Sequence, residues 1–414
     1  MKKNTSVIPF TGYQKLVIAI LALTQFSVVL DFMVMSPLGD MIMKAMTLTP
    51  KQFGVAVSAY AFSAGISGLL TAGFADKFDR KKLLLFFYTG FIVGTVFCGL
   101  ANNYYLLIGA RIFTGLFGGV IGSISLAIVA DVFDIHHRGR VMGFVQMGFG
   151  ASQVLGVPVS IKLAEYMGWQ APFIMVAVLA TLILALGALK LQPVDKHLAI
   201  KNDKNALLHL WHTVENRQYR IGFFTMSLLA VGGFMMMPFG SAFAINNLKI
   251  NNNDLFMLFM VSGVASLIIM PLIGRFSDKI DKFKLFAIAS LWMTAMVVIY
   301  TNLSATPLWE VMLLNVLMMM GIMSRFVPAG ALTSGLPEMK DRGAYMSISS
   351  SLQQIAGGIA AVVSGQIVRQ ANPKASLENY NIVGYVAAGI AIICVLMMYR
   401  VSTIVKQKLA EKQL

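Results

Sequence analysis

The chain has 414 residues, of which 57% are hydrophobic and only 12% charged, with a formal net charge of +15. Soluble domains carry about a quarter charged residues, so an ordinary water-facing globular surface is excluded. The basic excess is spread over short connections rather than gathered in one patch, which excludes a nucleic-acid-binding surface.

Almost uncharged apolar stretches succeed one another at 16–38, 52–75, 83–101, 104–130, 141–164, 171–190, 221–245, 254–276, 285–303, 308–334, 344–368 and 382–403. Roughly 20 helical residues cross the ~30 Å hydrocarbon core of a bilayer. Helices satisfy their own backbone groups in lipid. The twelve stretches therefore predict an all-α membrane protein with twelve transmembrane helices. The first stretch is too long for a signal-peptide core and lacks a convincing cleavage site, so it reads as a retained span. Cys98 and Cys394 both fall within spans, where buried packing rather than a disulfide is expected.

Most connections are short. The exception is 191–220, a polar run that divides the chain into 1–190 and 221–414, each with six spans and the second with a short tail. Within it, Leu207, Leu208, Leu210, Trp211 and Val214 have the spacing of a short helix lying on a membrane surface. A plain tether is the other reading.

Basic residues take sides. Clusters such as Lys77 to Lys82, Arg138 with Arg140, Lys190 to Arg220, Arg275 to Lys284 and Arg400 to Lys412 share one side with the N-terminus. Lys44, Lys51, Lys162, Lys249, Arg369 and Lys374 fall on the other, while Arg111 and Arg325 lie within spans. This asymmetry predicts both termini in the cytoplasm of a cell-membrane protein.

The two halves repeat. Residues 72–81 after span 2 match 274–283 after span 8 at an offset of 202. Arg138-Gly139-Arg140 before span 5 matches Arg342-Gly343-Ala344 before span 11 at an offset of 204. Both copies lie on one side, so the repeat is parallel. Two parallel, pseudo-symmetric six-helix bundles describe one large class of secondary transporter.

These residues resemble the major facilitator superfamily over the whole chain. That family's loop signature, Gly-x-Leu-Ala-Asp-Arg-x-Gly-Arg-Lys, is matched across 72–81 at Asp76, Arg80 and Lys81; Lys77 and Asp79 depart from it. Its span-4 Arg-x-x-x-Gly is met by Arg111 and Gly115. The chain is most similar to the twelve-span drug:proton antiporter branch, sugar-efflux-permease-like members included. The branch's span-5 signature, Gly-x-x-x-Gly-Pro-x-x-Gly-Gly, is met incompletely by Gly156 and Pro158, and this departure bears on transport direction.

Asp31 is the one acid deep inside a span. A carboxylate at bilayer depth costs at least ~2.5–3.5 kcal/mol on insertion scales, so it is a functional candidate. Asp31 and Arg111 lie at matching depths, each about 7 residues or ~10 Å from the same membrane face. The resemblance puts spans 1 and 4 on one cavity, where the two can face each other. One reading is a proton and substrate switch: burial favours a neutral carboxyl and a nearby guanidinium a charged one. The other is a permanent structural ion pair.

Arg325 sits three residues before Pro328 with no deep acid in the C-terminal spans to pair with. Contact with an anionic substrate, hydrogen bonding to carbonyls freed by the Pro, and snorkelling are the readings. Asn315 occupies the repeat position of Arg111.

The resemblance implies a cytoplasmic gate latch built from Asp76, Arg80, Lys81 and Asp278; ordinary helix-end charge is the alternative. It also implies that spans 7 and 10 line the cavity. Met235, Met236 and Phe239 in span 7, Met319 in span 10, and Gln353 and Gln354 in span 11 are then substrate-binding candidates. Adaptable thioethers suit a promiscuous apolar pocket, though lipid-facing filler and close packing explain the same residues.

No Walker loop, metal-spaced His or Cys cluster or nucleophile elbow is present. The expectation is a monomeric, cofactor-free, non-enzymatic transporter in the lipid bilayer. It would export small apolar or amphipathic solutes in exchange for protons. A metabolite or organic-anion symporter or facilitator is the alternative; a channel or sensor is a more distant one.

Overall fold

The computed structural model describes residues 10–71, 77–195, 198, 206–338, 341–372 and 374–411. Among them, twelve helical segments are long and apolar enough to cross a membrane. The N-terminal six spans are built from α1 (Gly12–Val34), α3 (Pro50–Thr71), α4 (Arg80–Gly99), α5 (Tyr104–Val132), α6 (Ile135–Ala151) continued by α7 (Val157–Met167), and α8 (Ala171–Lys190). A short helix, α2 (Gly39–Met46), extends the first span. The C-terminal six are α10 (Arg217–Phe234) with α11 (Gly240–Asn246), α12 (Leu255–Lys279), α13 (Lys282–Thr301), α14 (Leu308–Thr333), α15 (Arg342–Ile367) and α16 (Tyr380–Glu411). The linker holds a short helix, α9 (Ala206–Glu215), on which Trp211 is exposed. The last helix runs beyond the expected 382–403, leaving the apolar stretch and continuing to Glu411.

Capping residues start several spans. Thr11 and Gln14 form a reciprocal capping box at α1, with bonds of 3.2 and 3.0 Å. Asp79 caps α4 by accepting from Lys81 N at 2.8 Å, and Asp281 caps α13 by accepting from Lys284 N at 3.0 Å. These two acids sit at the repeat offset of 202. The departure from the loop signature at Asp79 thus has a local physical role.

Prolines break three spans. Pro37 lies in the turn between α1 and α2, and Pro238 in the 3-10 turn Met237–Phe239 before α11. Pro158 follows a π turn at Ser152–Gly156. Proline lacks an N–H and clashes with the carbonyl four residues back, so an uninterrupted α ladder is costly at each site.

The two bundles meet along α3 and α15, and along α7 with its π turn against α12. The α3–α15 contact needs glycine: a Cβ on Gly54 would overlap the Ala361 carbonyl, and one on Gly365 would lie 2.9 Å from Pro50 O. Even-numbered crossing puts the described chain ends and α9 on one face, the terminal face. On the opposite, far face one apolar cluster is shared by both bundles, joining Leu38, Ile42 and Phe53 to Phe239, Phe243 and Tyr380. Toward the terminal face, the buried members of the two remaining clusters each belong to a single bundle.

Candidate functional site

Asp31 and Arg111 meet. Arg111 Nη1 donates to Asp31 Oδ2 at 2.8 Å, and the side chains are 0% and 1% exposed. Thr95 Oγ1 donates to Asp31 Oδ1 at 3.1 Å, so both carboxylate oxygens are satisfied. The Tyr60 ring faces the guanidinium with Cζ 4.6 Å from its centroid. Thr95 and Tyr60 were not legible as site residues; one uncharged polar group within a span carries little signal alone. Buried pairs are weak evidence of net stability, because desolvation offsets most of the attraction. What the geometry does give is coupling: a motion that separates α1 from α5 must break a charge pair.

Between the bundles lies a cavity of about 270 Å³; Asp31 and Arg111 do not line it, but the Tyr60 ring beside Arg111 packs on Phe32, which packs on the lining residue Phe234. The N-terminal bundle contributes Met33, Ser36, Pro37, Phe149, Gln153 and Val157. The C-terminal bundle supplies most of the wall, from α10, α12, α13, α14 and Tyr380 of α16. Seven methionines line it: Met33, Met236, Met237, Met293, Met318, Met319 and Met323. Phe149, Phe234, Phe259, Phe326, Tyr300 and Tyr380 add aromatic surface. Polar side chains are few: Ser36, Gln153, Ser262, Ser266 and Asn315, with the two tyrosine hydroxyls. Among the described lining residues none is charged. Such a wall binds by apolar burial and shape, with neutral hydrogen bonds to orient the guest.

The sequence candidates divide accordingly. Met236, Met319 and Asn315 line the cavity. Met235 and Phe239 are instead buried in the shared far-face cluster. Gln353 and Gln354 lie on α15, away from the lining; Gln353 Nε2 is held by Ser349 O at 3.0 Å and Ser349 Oγ at 3.2 Å. Arg325 is 1% exposed and stands behind the cavity wall rather than in it. Residues 262 and 266, four apart on α12, were the legible signal that was missed: two serines on one helix face.

Of the latch candidates, Asp76 lies outside the described residues, as does the side chain of Asp278, which sits on α12. Arg80 is nearly buried, with Nε 3.3 Å from Asp131 Oδ2 at the end of α5. Lys81 Nζ donates to Ala188 O at 2.9 Å and to Leu191 O at 2.5 Å. These bonds tie the loop to its own bundle and to the chain leaving the sixth span.

The far face is closed by a polar clasp between the bundles. Ser36 Oγ donates to Met237 O, and Ser241 Oγ donates to Ser36 O at 2.7 Å. Asn246 Nδ2 donates to Asp40 Oδ1 at 2.7 Å, while Lys44 Nζ binds Asp40 Oδ2 at 2.6 Å. Asp40 is 2% exposed; its Oδ1 keeps the Asn246 donor only while the bundles are together at this face, whereas Oδ2 stays paired with Lys44 of its own helix.

A sequence model described as Major Facilitator Superfamily matches residues 21–324 and 223–413. The uncharacterized MFS-type transporter YbcL of Bacillus subtilis (strain 168) is 24% identical over 385 residues, 92% of this chain and 95% of that one. A probable sugar efflux transporter of Helicobacter pylori (strain ATCC 700392 / 26695) is 25% identical over 259 residues. That match spans 62% of this chain and 64% of the relative, under two thirds of its length. A bacterial homolog of the human lysosomal transporter Spinster, inward-facing and occupied, has a TM-score of 0.78 at 14% identity, covering 95% of this chain and 98% of its own. A D-xylose-proton symporter has a TM-score of 0.76 at 16% identity, covering 94% and 97%. At these identities the solved structures speak to the fold alone.

Proposed function

The chain belongs to the major facilitator superfamily, and on that premise we propose that it exports small apolar or amphipathic solutes in exchange for protons. The observation that carries this reading is a buried Asp31–Arg111 pair linked, through Tyr60, Phe32 and Phe234, to an uncharged, methionine-lined cavity between the bundles. The N-terminal bundle, residues 1–190, handles the proton; the C-terminal bundle, 221–414, supplies most of the cargo wall; 191–220 links them. The bundles rock about the cavity, so that it opens to one side at a time. Closure at the far face by Asp40, Asn246 and Ser36 represents one end of that cycle. Asp31 and Arg111 belong to the same bundle, so rocking alone leaves the pair intact; coupling requires α1 to shift against α5 as the far face opens, which separates Arg111 from Asp31. In the separated state burial favours a proton on the carboxyl group; in the paired state the guanidinium favours its release. Flexible thioethers let one wall accept several shapes. Basic connections support a cell-membrane location with the terminal face cytoplasmic.

A second reading follows from the relatives named as sugar efflux transporters: a polyhydroxylated cargo. The sparse polar lining favours the apolar one, because each buried hydroxyl without a partner costs ~1–3 kcal/mol. The test is counterflow of a labelled panel in proteoliposomes at two pH values, followed by accumulation under an imposed pH gradient. Equal accumulation with and without the imposed pH gradient would remove the coupling. Preference for hexoses over apolar solutes would exchange the two readings.

A further inference from the structure

We propose that the exported solute carries one negative charge, and that Arg325 receives it from behind the cavity wall. This rests on the transport reading above and names its cargo more narrowly.

Arg325 is 1% exposed on α14. Its Nη1 donates to Met293 Sδ at 2.8 Å, and its Cζ lies 5.4 Å from the centroid of the Phe286 ring. Among the described residues Nε and Nη2 have no partner of good hydrogen-bond geometry, the nearby Cys394 thiol being the other weak contact of the group. A guanidinium has five N–H donors, and here a thioether, a weak acceptor, is all that one of them meets. Every acid of residues 221–414 lies in a connection or near a helix end. A charge buried without a counter-ion in a membrane span is expensive, and such residues mark the path of a charged ligand.

The barrier between this guanidinium and the cavity is thin. Met293 lines the cavity and is the same residue whose sulfur contacts Nη1. Gly232 also lines the cavity, and a Cβ there would lie 3.9 Å from Nη1. One unbranched side chain with three rotatable bonds and one side-chain-free position therefore separate the charge from the guest. Rotation of Met293 opens the way to Nη1. The guest this geometry fits has an apolar body against the methionines and aromatic rings and a single carboxylate or sulfonate head on Arg325.

The rival counter-ion is the Cys394 thiol, which neighbours Arg325 and points its Sγ at Thr225 O, 3.6 Å away. The charge balance of the cycle distinguishes anionic from neutral cargo. One proton entering for one neutral solute moves one positive charge inward. One proton entering for one departing monoanion moves two.

The test uses the full chain, purified, with 1-octanesulfonate and its uncharged counterpart 1-octanesulfonamide as probes at pH 7. Saturation of the thermal midpoint is expected at least tenfold lower in concentration for the sulfonate. Arg325→Gln is expected to abolish that preference while leaving the sulfonamide response in place; Arg325→Lys keeps part of it, and Cys394→Ala keeps all of it. In proteoliposomes, the charge moved per solute is expected to be twofold larger for the sulfonate. Equal responses to the two probes, or a preference that survives Arg325→Gln, overturn the proposal. So does a preference that appears only in Cys394→Ala, since the thiolate would then be the native counter-ion. Proton-driven accumulation of the sulfonamide reports on the transport reading alone, so the two ideas fail separately.

Discussion

The two bundles share a scaffold but treat buried charge in opposite ways. In the N-terminal bundle Asp31 and Arg111 neutralise each other at 2.8 Å, with Thr95 completing the carboxylate. In the C-terminal bundle the guanidinium of Arg325 meets a sulfur atom and a ring. The repeat makes the contrast sharp. Phe32 and Met33 correspond to Phe234 and Met235 at an offset of 202, which puts Gly233 where Asp31 stands. Asn315 stands where Arg111 does. On the proposed reading, the copy without the charge pair supplies a neutral wall for the guest, the copy that keeps it responds to protons, and the duplication divides coupling from binding.

The largest effect should come from breaking the N-terminal side of that contrast. Asp31→Asn is expected to reduce pH-gradient-driven accumulation to the level of empty vesicles, while counterflow, which needs no net proton movement, persists. Full gradient-driven transport by this variant would return the pair to a purely structural role.

Stability should separate the bundles next. Arg111→Leu strands a buried carboxylate and is expected to cost ~3–5 kcal/mol, with much of that recovered in Asp31→Asn/Arg111→Leu. Arg325→Met removes a charge that has no acid to strand, so it should be neutral or stabilising. Chemical denaturation in detergent reads all three. Equal losses from Arg111→Leu and Arg325→Met would mean that Arg325 has a counter-charge of its own.

The far-face clasp offers a smaller effect. Asp40→Ala removes the acceptor for Asn246, a loss of ~1–3 kcal/mol if the freed amide stays buried. The bundles are then expected to part more often at this face. Labelling of Ser241→Cys by an impermeant maleimide should rise about tenfold, since 1.4 kcal/mol is a factor of ten. An unchanged rate would mean that the apolar cluster alone keeps the face shut.

Much of this architecture was legible because lipid imposes a length. Twelve apolar runs gave twelve spans, and matching depths put Asp31 opposite Arg111. What hydropathy does not see is interruption: Pro37 and Pro238 fall inside expected spans 16–38 and 221–245, yet they split off α2 and α11, which build the far-face clasp. Nor does it say which side of an apolar helix faces the guest, since lipid and cavity both select apolar residues. Met235 and Met236 are adjacent, yet one joins the core and the other the cavity. Gln353, a candidate ligand by type, turns its Nε2 to Ser349 of its own helix, which no sequence pattern announces.

The smallest effect tests the equivalence of the repeats where their charges do match. Asp79 and Asp281 cap the third and ninth spans, and each also grips the chain that leaves its bundle. Asp79 Oδ1 accepts from Val194 N at 3.1 Å; Asp281 Oδ2 meets Lys406 Nζ of α16 at 2.8 Å. Alanine at either site should cost ~1 kcal/mol from the lost cap, with Asp79→Ala the larger because the Val194 N–H then loses its acceptor as well. Asparagine caps as well as aspartate, so Asp281→Asn isolates the Lys406 pair, an exposed interaction worth only ~0.2–1 kcal/mol. The hydrogen bond from Lys406, followed by that from Lys284 N, holds the Asp281 carboxyl below its usual range. A lowered value means that this stabilisation is present at neutral pH and disappears as the acid protonates, below about pH 4. The difference between the parent chain and Asp281→Asn should therefore be constant from pH 7 to pH 5 and close toward pH 3, as read by denaturation midpoints. A difference that instead widens on acidification would mean that Lys406 is not the partner that matters, and that α16 is held to its bundle by Lys408, whose Nζ donates to Leu336 O at 2.7 Å.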